Sequence, residues 1–449
     1  MSFESRGRGV VARAVWPLAT ICVWFAVEPA RGADPPRLVA AWAAGPMEVR
    51  LAWDGPVDEA FAGRLVGRSI TFAKPSRPGW DASKTPRGAI KIAAARRADG
   101  GRALVLATDP RPTATSYLLR LDDAGGMPAE YSLGGVEASW GSGVEGDEPS
   151  WTAWWPSLDL QDWRALAARG STEHAARLAD LSKPGRLSIR TLLRLPQGTY
   201  IARLWSNVPV EASINGEDAL KSSATPRGEY RVELAVESSG DVIDLLATLP
   251  TGLGGAPTAL RATLATRAEP KSERALGDLL VPWSPTPAAP VVAPAAAPAF
   301  DLNGGDAARG EAVFFSEQAR CAACHQVSGR GGAIGPDLSN QAGRDLASIY
   351  REINDPSAFI DPEYQPFVVA KKDGQVAVGL VRAAGSDGLR VVDTASQTTE
   401  LRRGDVAELR PSASSIMPAG LIGVLGEQKM RDLLAYLSRP PRSKSGGKR

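Results

Sequence analysis

Between residues 34 and about 140 the chain alternates apolar and polar positions in short runs. The clearest are "MEVRLAW" (47–53), "ALVLAT" (103–108) and "SYLLRL" (116–121), set apart by Pro, Gly and Asp. Successive side chains of a strand point to opposite faces, so a period of two predicts half-buried strands. With this punctuation it predicts an antiparallel β-sandwich of Ig-like pattern over 34–140. A Trp-rich stretch, "SWGSGVEGDEPSWTAWWP" (139–156), leads into a second region. There "DLQDWRALAARG" and "STEHAARLADL" carry helical spacing, while "RLSIRTLLRL", "YIARLW", "VEASI" and "YRVELAV" return to strand spacing. Asn215-Gly216 signals a tight hairpin, since such a turn needs left-handed backbone at both central positions. Residues 141–280 therefore read as a second sandwich-like, mainly β domain with short helices.

The stretch "VPWSPTPAAPVVAPAAAPAF" (281–300) has no face to bury, and its Pro and Ala predict an extended, semi-rigid linker. Helical segments dominate from there to about 440: "DAARGEAVFFSEQA", "RDLASIYREIND" and "EQKMRDLLAYLSR". Between the last two, residues 367–409 alternate again, with hairpin signals at Asp373-Gly374 and Asp387-Gly388. The third domain, 301–440, is thus expected to be mainly α with an inserted β-meander. The basic, Gly/Ser-rich tail 441–449 is expected to be disordered.

The N-terminus adds an address. Arg6, Arg8 and Arg13 precede the apolar run 14–27, and small residues follow up to Ala33. This is the order of a secretory signal peptide over 1–33, which places the mature chain in the periplasm or on the cell surface. The run is short for a membrane span, and no later stretch approaches the ~18 apolar residues that one requires. With 449 residues and a net charge of +2 from evenly mixed acids and bases, the chain suggests several domains and no nucleic-acid partner. All twelve Trp lie at or before residue 283, and they are expected in cores and interfaces rather than on a carbohydrate platform.

Three cysteines narrow the chemistry. Cys22 falls in the signal segment, which leaves Cys321 and Cys324, both inside "EQARCAACHQVSGRG" (317–331). A disulfide framework would scatter its cysteines, so this pair serves local chemistry. C-x-x-C-H is the attachment pattern of c-type haem: two thiols on one helical turn form thioethers, and the adjacent imidazole becomes the proximal iron ligand. A structural zinc site needs four ligands, and the only other histidine, His174, lies in another domain. A thioredoxin-like dithiol would follow a strand, whereas this motif follows a helix.

Other residues fall where a haem crevice needs them. Gly310 permits close crossing by another helix, and the final helix offers Tyr436 to pack near it, while its Met430 reads as core. In class I cytochromes c a Pro eleven residues past the proximal His packs on the haem, and its carbonyl accepts the imidazole N–H. Gly335-Pro336 stands at this place. "SSIMPAGL" (414–421) supplies Met417 before the last helix as the distal iron ligand.

The succession "RGEAVFF…CAACH…GRGGAIGPDLS…INDPSAFIDPEYQPFVVAKKDGQVAVGL…SIMPAGL…DLLAYL" resembles the haem-binding domain of planctomycete and verrucomicrobial multidomain c-type cytochromes over about 301–440. The resemblance implies a class I-like fold with one covalent haem c. It also implies electron transfer within an exported protein and leaves the redox partners, dehydrogenase or terminal acceptor, open. "LPQGTYIARLWSNVPVEASING" is similar to sandwich modules that bind sugars or decorate surface enzymes, so envelope or glycan contact through the β domains is a further expectation. An electron carrier is the leading reading. The alternatives are a haem module of an exported dehydrogenase or glycan-active enzyme, and a haem-based redox or gas sensor.

Overall fold

The computed structural model describes residues 36–74, 87–122, 128–144, 147–169, 172–240, 242–253, 257–276, 279–281 and 300–439. The expected signal peptide, nearly all of the expected linker and the basic tail lie outside these residues. Pro36–Arg449 forms one compact unit. Among the described residues, no helix is long and apolar enough to cross a membrane.

The first region holds seven strands: β1 (Leu38–Gly45), β2 (Glu48–Trp53), β3 (Ser69–Ala73), β4 (Arg87–Ala98), β5 (Ala103–Thr108), β6 (Tyr117–Asp122) and β7 (Pro128–Ser132), with helix α1 (Glu59–Leu65) after β2. A two-layer sandwich is the expectation here, but these strands form one antiparallel sheet in the order β1-β2-β5-β4-β3-β6-β7. The cause lies in β4. Its first half pairs with β3 and its second with β5, and an irregularity between Ile92 and Ala94 marks the hand-over. A bulge there bends the strand. The bent sheet then encloses a core to which Val49, Leu51, Ile70, Phe72, Leu104, Leu106 and Leu119 contribute.

The second region is a sandwich of two antiparallel sheets. Its strands are β8 (Val136–Gly141), β9 (Trp151–Trp155), β10 (Gly185–Arg194), β11 (Gly198–Ser206), β12 (Glu211–Ile214), β13 (Leu220–Lys221), β14 (Ser223–Ala224), β15 (Tyr230–Ser238), β16 (Val242–Thr251), β17 (Leu260–Thr266) and β18 (Leu279–Leu280). One sheet runs β13-β12-β16-β10-β8-β9 with β18 on β10, and the other β14-β15-β11-β17. Strand β8 crosses the expected boundary at 140/141 and pairs within this second region. Asn215 and Gly216 are both left-handed, with φ of 52° and 76°, as a primed hairpin turn demands. Helices α2 (Leu160–Arg169) and α3 (Thr172–Asp180) pack beside the sheets. Trp155 stacks on Trp163 with ring centroids 4.2 Å apart, and His174 meets Trp155 edge-on while its Nε2 bonds the Trp154 carbonyl at 2.8 Å. Trp42, Trp155 and Trp163 are buried in this core, as the aromatic reading expects.

The C-terminal region is built from α4 (Ala307–Phe314), α5 (Cys321–Cys324), the short pair β19 (Gln326–Val327) and β20 (Arg330–Gly331), and α6 (Leu346–Asn354). The strands β21 (Phe367–Lys371), β22 (Val376–Ala384), β23 (Gly388–Val392), β24 (Thr398–Arg402) and β25 (Val406–Pro411) follow, and α7 (Leu421–Leu437) closes the region. The inserted meander is present, with β25 returning to the outer edge of β21 in the order β24-β23-β22-β21-β25. Helix α7 starts six residues before the expected 427 because Leu421–Leu425 forms a turn of its own, broken from the rest at Gly426 (φ 74°, ψ 166°).

Helices α4 and α7 cross at Gly310, and Phe314 packs on Tyr436 with centroids 5.7 Å apart. A carboxylate pins this crossing. Asp432, 2% exposed, accepts from the Asp306 N–H at 2.7 Å and from Arg309 Nε and Nη2 at 2.8 and 2.9 Å. The Arg309 hydrogen bonds, with those from Asp306 and Gln428, outweigh burial and hold the Asp432 carboxyl down at about 2, against an ordinary 3.8. A depressed carboxyl stabilises the fold fully above its unfolded value and loses that stabilisation as pH falls through the folded one. The melting temperature is therefore expected to drop between pH 4 and pH 2. Asp432→Asn should cost about 2 kcal/mol at pH 7 and flatten this acid limb, as read by thermal unfolding at several pH values.

Candidate functional site

Asp306 caps α4 by accepting from the N–H groups of Ala308 and Arg309 at 3.0 and 2.8 Å. Six residues beyond α4 comes Arg320, which adopts left-handed backbone at φ 53° and lets a new turn start at Cys321. The His325 N–H closes that turn on the Cys321 carbonyl at 2.9 Å. Positions i, i+3 and i+4 of a helical turn share a face, so Cys321, Cys324 and His325 are presented together.

The following loop folds back on the same turn. Gly332 N–H donates to the Ala322 carbonyl at 2.8 Å, and Ile334 and Gly335 N–H both donate to the Cys324 carbonyl, at 3.0 and 2.8 Å. This brings the Pro336 carbonyl to 2.9 Å from His325 Nδ1. A carbonyl can only accept, so Nδ1 carries the proton and the Nε2 lone pair is left for another partner. Burial pushes the imidazole below its ordinary 6.5 although the Pro336 bond acts the other way, which favours the neutral, ligating form of the ring. Gly335 is required by close approach: a Cβ there would lie 2.6 Å from His325 Cε1.

These residues open onto one cavity of about 260 Å³, and all six predicted site residues line it: Cys321, Cys324, His325, Gly335, Pro336 and Met417. Phe314, Leu338, Ile353, Leu421 and Leu433 give it apolar walls. Met417 arrives on the loop before α7, where its N–H bonds Ser415 Oγ at 3.1 Å. Met430 is fully buried in the helical core and lies outside the lining, as its core reading expects, and His174 sits in the second β region. Burial also pushes the Cys321 thiol up to about 11. A reactive dithiol depends on a lowered thiol pKa, so this turn is poorly suited to disulfide exchange. Among the described residues, no three or more His, Cys, Asp or Glu side chains gather as a metal set.

The donor set fits a covalently attached haem. Two thiols and one imidazole with a free Nε2 share a face, a thioether sulfur lines the same cavity, and the surroundings are apolar.

Several wall residues were not foreseen from the sequence. Leu380, Thr394 and Ser396 come from the meander, and Asp361 and Tyr364 from the 3₁₀ turn Pro362–Tyr364 and its cap. Lys74 of the first β region reaches this wall, 2.9 Å from Asp361 and paired with Glu363. No local pattern marks these positions, since each contact joins segments far apart in the chain.

Solved structures offer slight likenesses only. The beta-glucosidase from Kluyveromyces marxianus is 12% identical with a TM-score of 0.23, over 32% of this chain, and the chain spans 17% of that enzyme. An anti-sigma factor domain-containing protein from Clostridium clariflavum is 12% identical with a TM-score of 0.23, over 54% of this chain and 90% of that one. The PA14 sugar-binding domain from an RTX adhesin is 11% identical with a TM-score of 0.19, over 31% and 93%. At such scores none carries an argument about this chain, and no curated protein matches it. A family does match part of it: the cytochrome c family model covers residues 307–366, the stretch that holds α4, the attachment turn, the Pro336 loop and α6, and this match supports a c-type cytochrome haem-binding domain there.

Proposed function

We propose that the protein is an exported carrier of a single covalent haem c that passes one electron at a time between redox partners. In this reading Cys321 and Cys324 form the two thioethers, and His325 and Met417 are the axial ligands of a class I-like domain. The observation that carries it is the convergence of these four side chains on one apolar cavity, with His325 Nδ1 already engaged by Pro336.

When bound, haem supplies reversible one-electron exchange at its iron. The chain's own residues do the rest. The Pro336 carbonyl fixes the imidazole plane and its tautomer, so Nε2 faces the cavity in either charge state. The Ser415–Met417 bond and Pro418 hold the methionine loop, and a soft neutral donor on that side favours the reduced state. Apolar walls keep water away, which limits the reorganisation that accompanies each transfer.

The order of motifs along 301–440 supports a planctomycete-type multidomain setting, and the signal-like N-terminus supports export to the periplasm or cell surface. The partners are then a dehydrogenase and a terminal acceptor, with the β regions docking the carrier to an enzyme, a glycan or the envelope. The test is an optical spectrum of the full chain matured with c-type haem. A pyridine haemochrome of the two-thioether kind is expected, together with a Met–iron charge-transfer band that disappears in Met417→Ala. Survival of that band would remove Met417 from the iron.

A further inference from the structure

The wall beside Cys324 is made by the meander, from residues outside the matched cytochrome c stretch. The turn between β23 and β24 reaches the attachment site: Ser396 Oγ lies 3.4 Å from Cys324 Sγ, and Thr394 and Ser396 both line the cavity. The turn is tightly held. Asp393 Oδ1 accepts from the N–H groups of Ala395 and Gln397 at 2.8 and 2.9 Å, and the Asp393 and Ser396 backbones close it at 3.0 Å. Ser396 itself stands at φ 64°, left-handed backbone that a serine rarely adopts. Something other than local preference holds it there.

The meander in turn is moored to the first β region. The Ala383 N–H donates to Asp109 Oδ1 at 2.7 Å, and Arg403 donates to the carbonyls of Met47 and Thr108 at 3.1 Å each. Met47 also packs against the meander's own core. The position of the turn over Cys324 is therefore set by elements more than two hundred residues away in sequence.

The geometry points to a built cap: the Asp393–Gln397 turn covers the haem edge at the Cys324 thioether, and the Ser396 hydroxyl donates to its sulfur. This rests on the haem reading above. A thioether sulfur has no proton, so once attachment is complete only the hydroxyl can be the donor in this contact. Drawing electron density from the sulfur, and excluding water from that edge, both disfavour the oxidised, more positive iron. The cap thus raises the reduction potential, and Ser396 is a positioning residue that acts through Cys324.

The experiment is a potentiometric titration of the full haem-loaded chain beside Ser396→Gly, Thr394→Gly/Ser396→Gly and Val376→Ala. Glycine suits φ 64°, so the first variant keeps the turn and loses the hydroxyl. Both Ser396 variants are expected to keep the parent haemochrome and to titrate at lower potential. The double variant shifts the one-electron equilibrium about tenfold, or ~59 mV. Val376, on the same meander, is exposed and lies outside both the cap turn and the lining of this cavity, so its variant should leave the potential unchanged. Equal potentials in Ser396→Gly and the parent, or an equal fall in Val376→Ala, would overturn the cap while leaving the carrier intact. A parent chain without covalent haem would instead remove the reading on which the cap rests.

Discussion

With Cys321→Ala and Cys324→Ala together, a chain matured beside a c-type haem ligation system is expected to retain no haem through denaturing extraction. Each thiol accounts for one thioether, and among the described residues no other cysteine is present to replace either. The single variants should keep one bond each and shift the pyridine haemochrome towards the one-thioether type. His325→Ala differs in kind: thioethers are still chemically available, but the proposed proximal ligand and its Pro336 bond are lost together. Stability should follow attachment. An unfilled apolar cavity costs about 24 cal/mol per Å³, so 260 Å³ corresponds to about 6 kcal/mol, an upper figure because the cavity opens to solvent. That is comparable with the whole stability of a small domain, about 5–15 kcal/mol. The double variant should therefore lose protection from proteolysis in residues 301–439 and keep it in the β regions. Haem that resists extraction in the double variant would refute the assignment.

Gly310→Val should collapse the helical C-terminal region without touching the residues proposed to hold haem. A Cβ at this position would stand 1.9 Å from the Asp432 carbonyl oxygen and 2.8 Å from Tyr436 Cβ. The first of these is backbone and cannot rotate aside, so the two helices must part. Parting them also breaks the Arg309–Asp432 pair and the Phe314–Tyr436 contact. Two effects of opposite sign compete at Gly310→Ala. Helix propensity gains up to about 1 kcal/mol over glycine, while overpacking of this kind costs about 1–3 kcal/mol or more. Overpacking wins because the obstacle is fixed, and valine adds to the clash what it gives up in propensity. Gly423, on the first turn of α7, has nothing within 4 Å of a Cβ. Gly423→Ala is accordingly expected to stabilise by a few tenths to about 1 kcal/mol, and thermal melts of the three variants check the contrast. Equal melting of Gly310→Val and the parent would mean that the helices do not cross at this residue.

What could be foreseen sorts by the range of the forces involved. The attachment turn was legible because its geometry is local: Cys321, Cys324 and His325 need only one helical turn, and Pro336 needs only the loop that folds back on it. Asn215-Gly216 was legible for the same reason, as few other residue pairs tolerate two left-handed positions in succession. The first β region reads from its alternation as a sandwich, but alternation reports which residues are half-buried and not which strand they pair with. One irregularity inside β4 decides that a single sheet bends over its own core. The early start of α7 is not legible as one helix because Gly426, at φ 74° and ψ 166°, breaks its first turn from the rest.

By itself the sequence determined a local arrangement: two thiols and an imidazole on one turn, a proline eleven residues further on, a methionine before the last helix, and short β segments before them. Tertiary structure alone decided what surrounds that chemistry. Ser396 meets Cys324 across seventy-two residues, Asp109 anchors Ala383 across 274, and Lys74 reaches the cavity wall across 287. Contacts of that span leave no period in the chain, because they depend on which buried faces find one another. Spacing within a turn is set by covalent geometry, whereas the meeting of distant segments is set by packing.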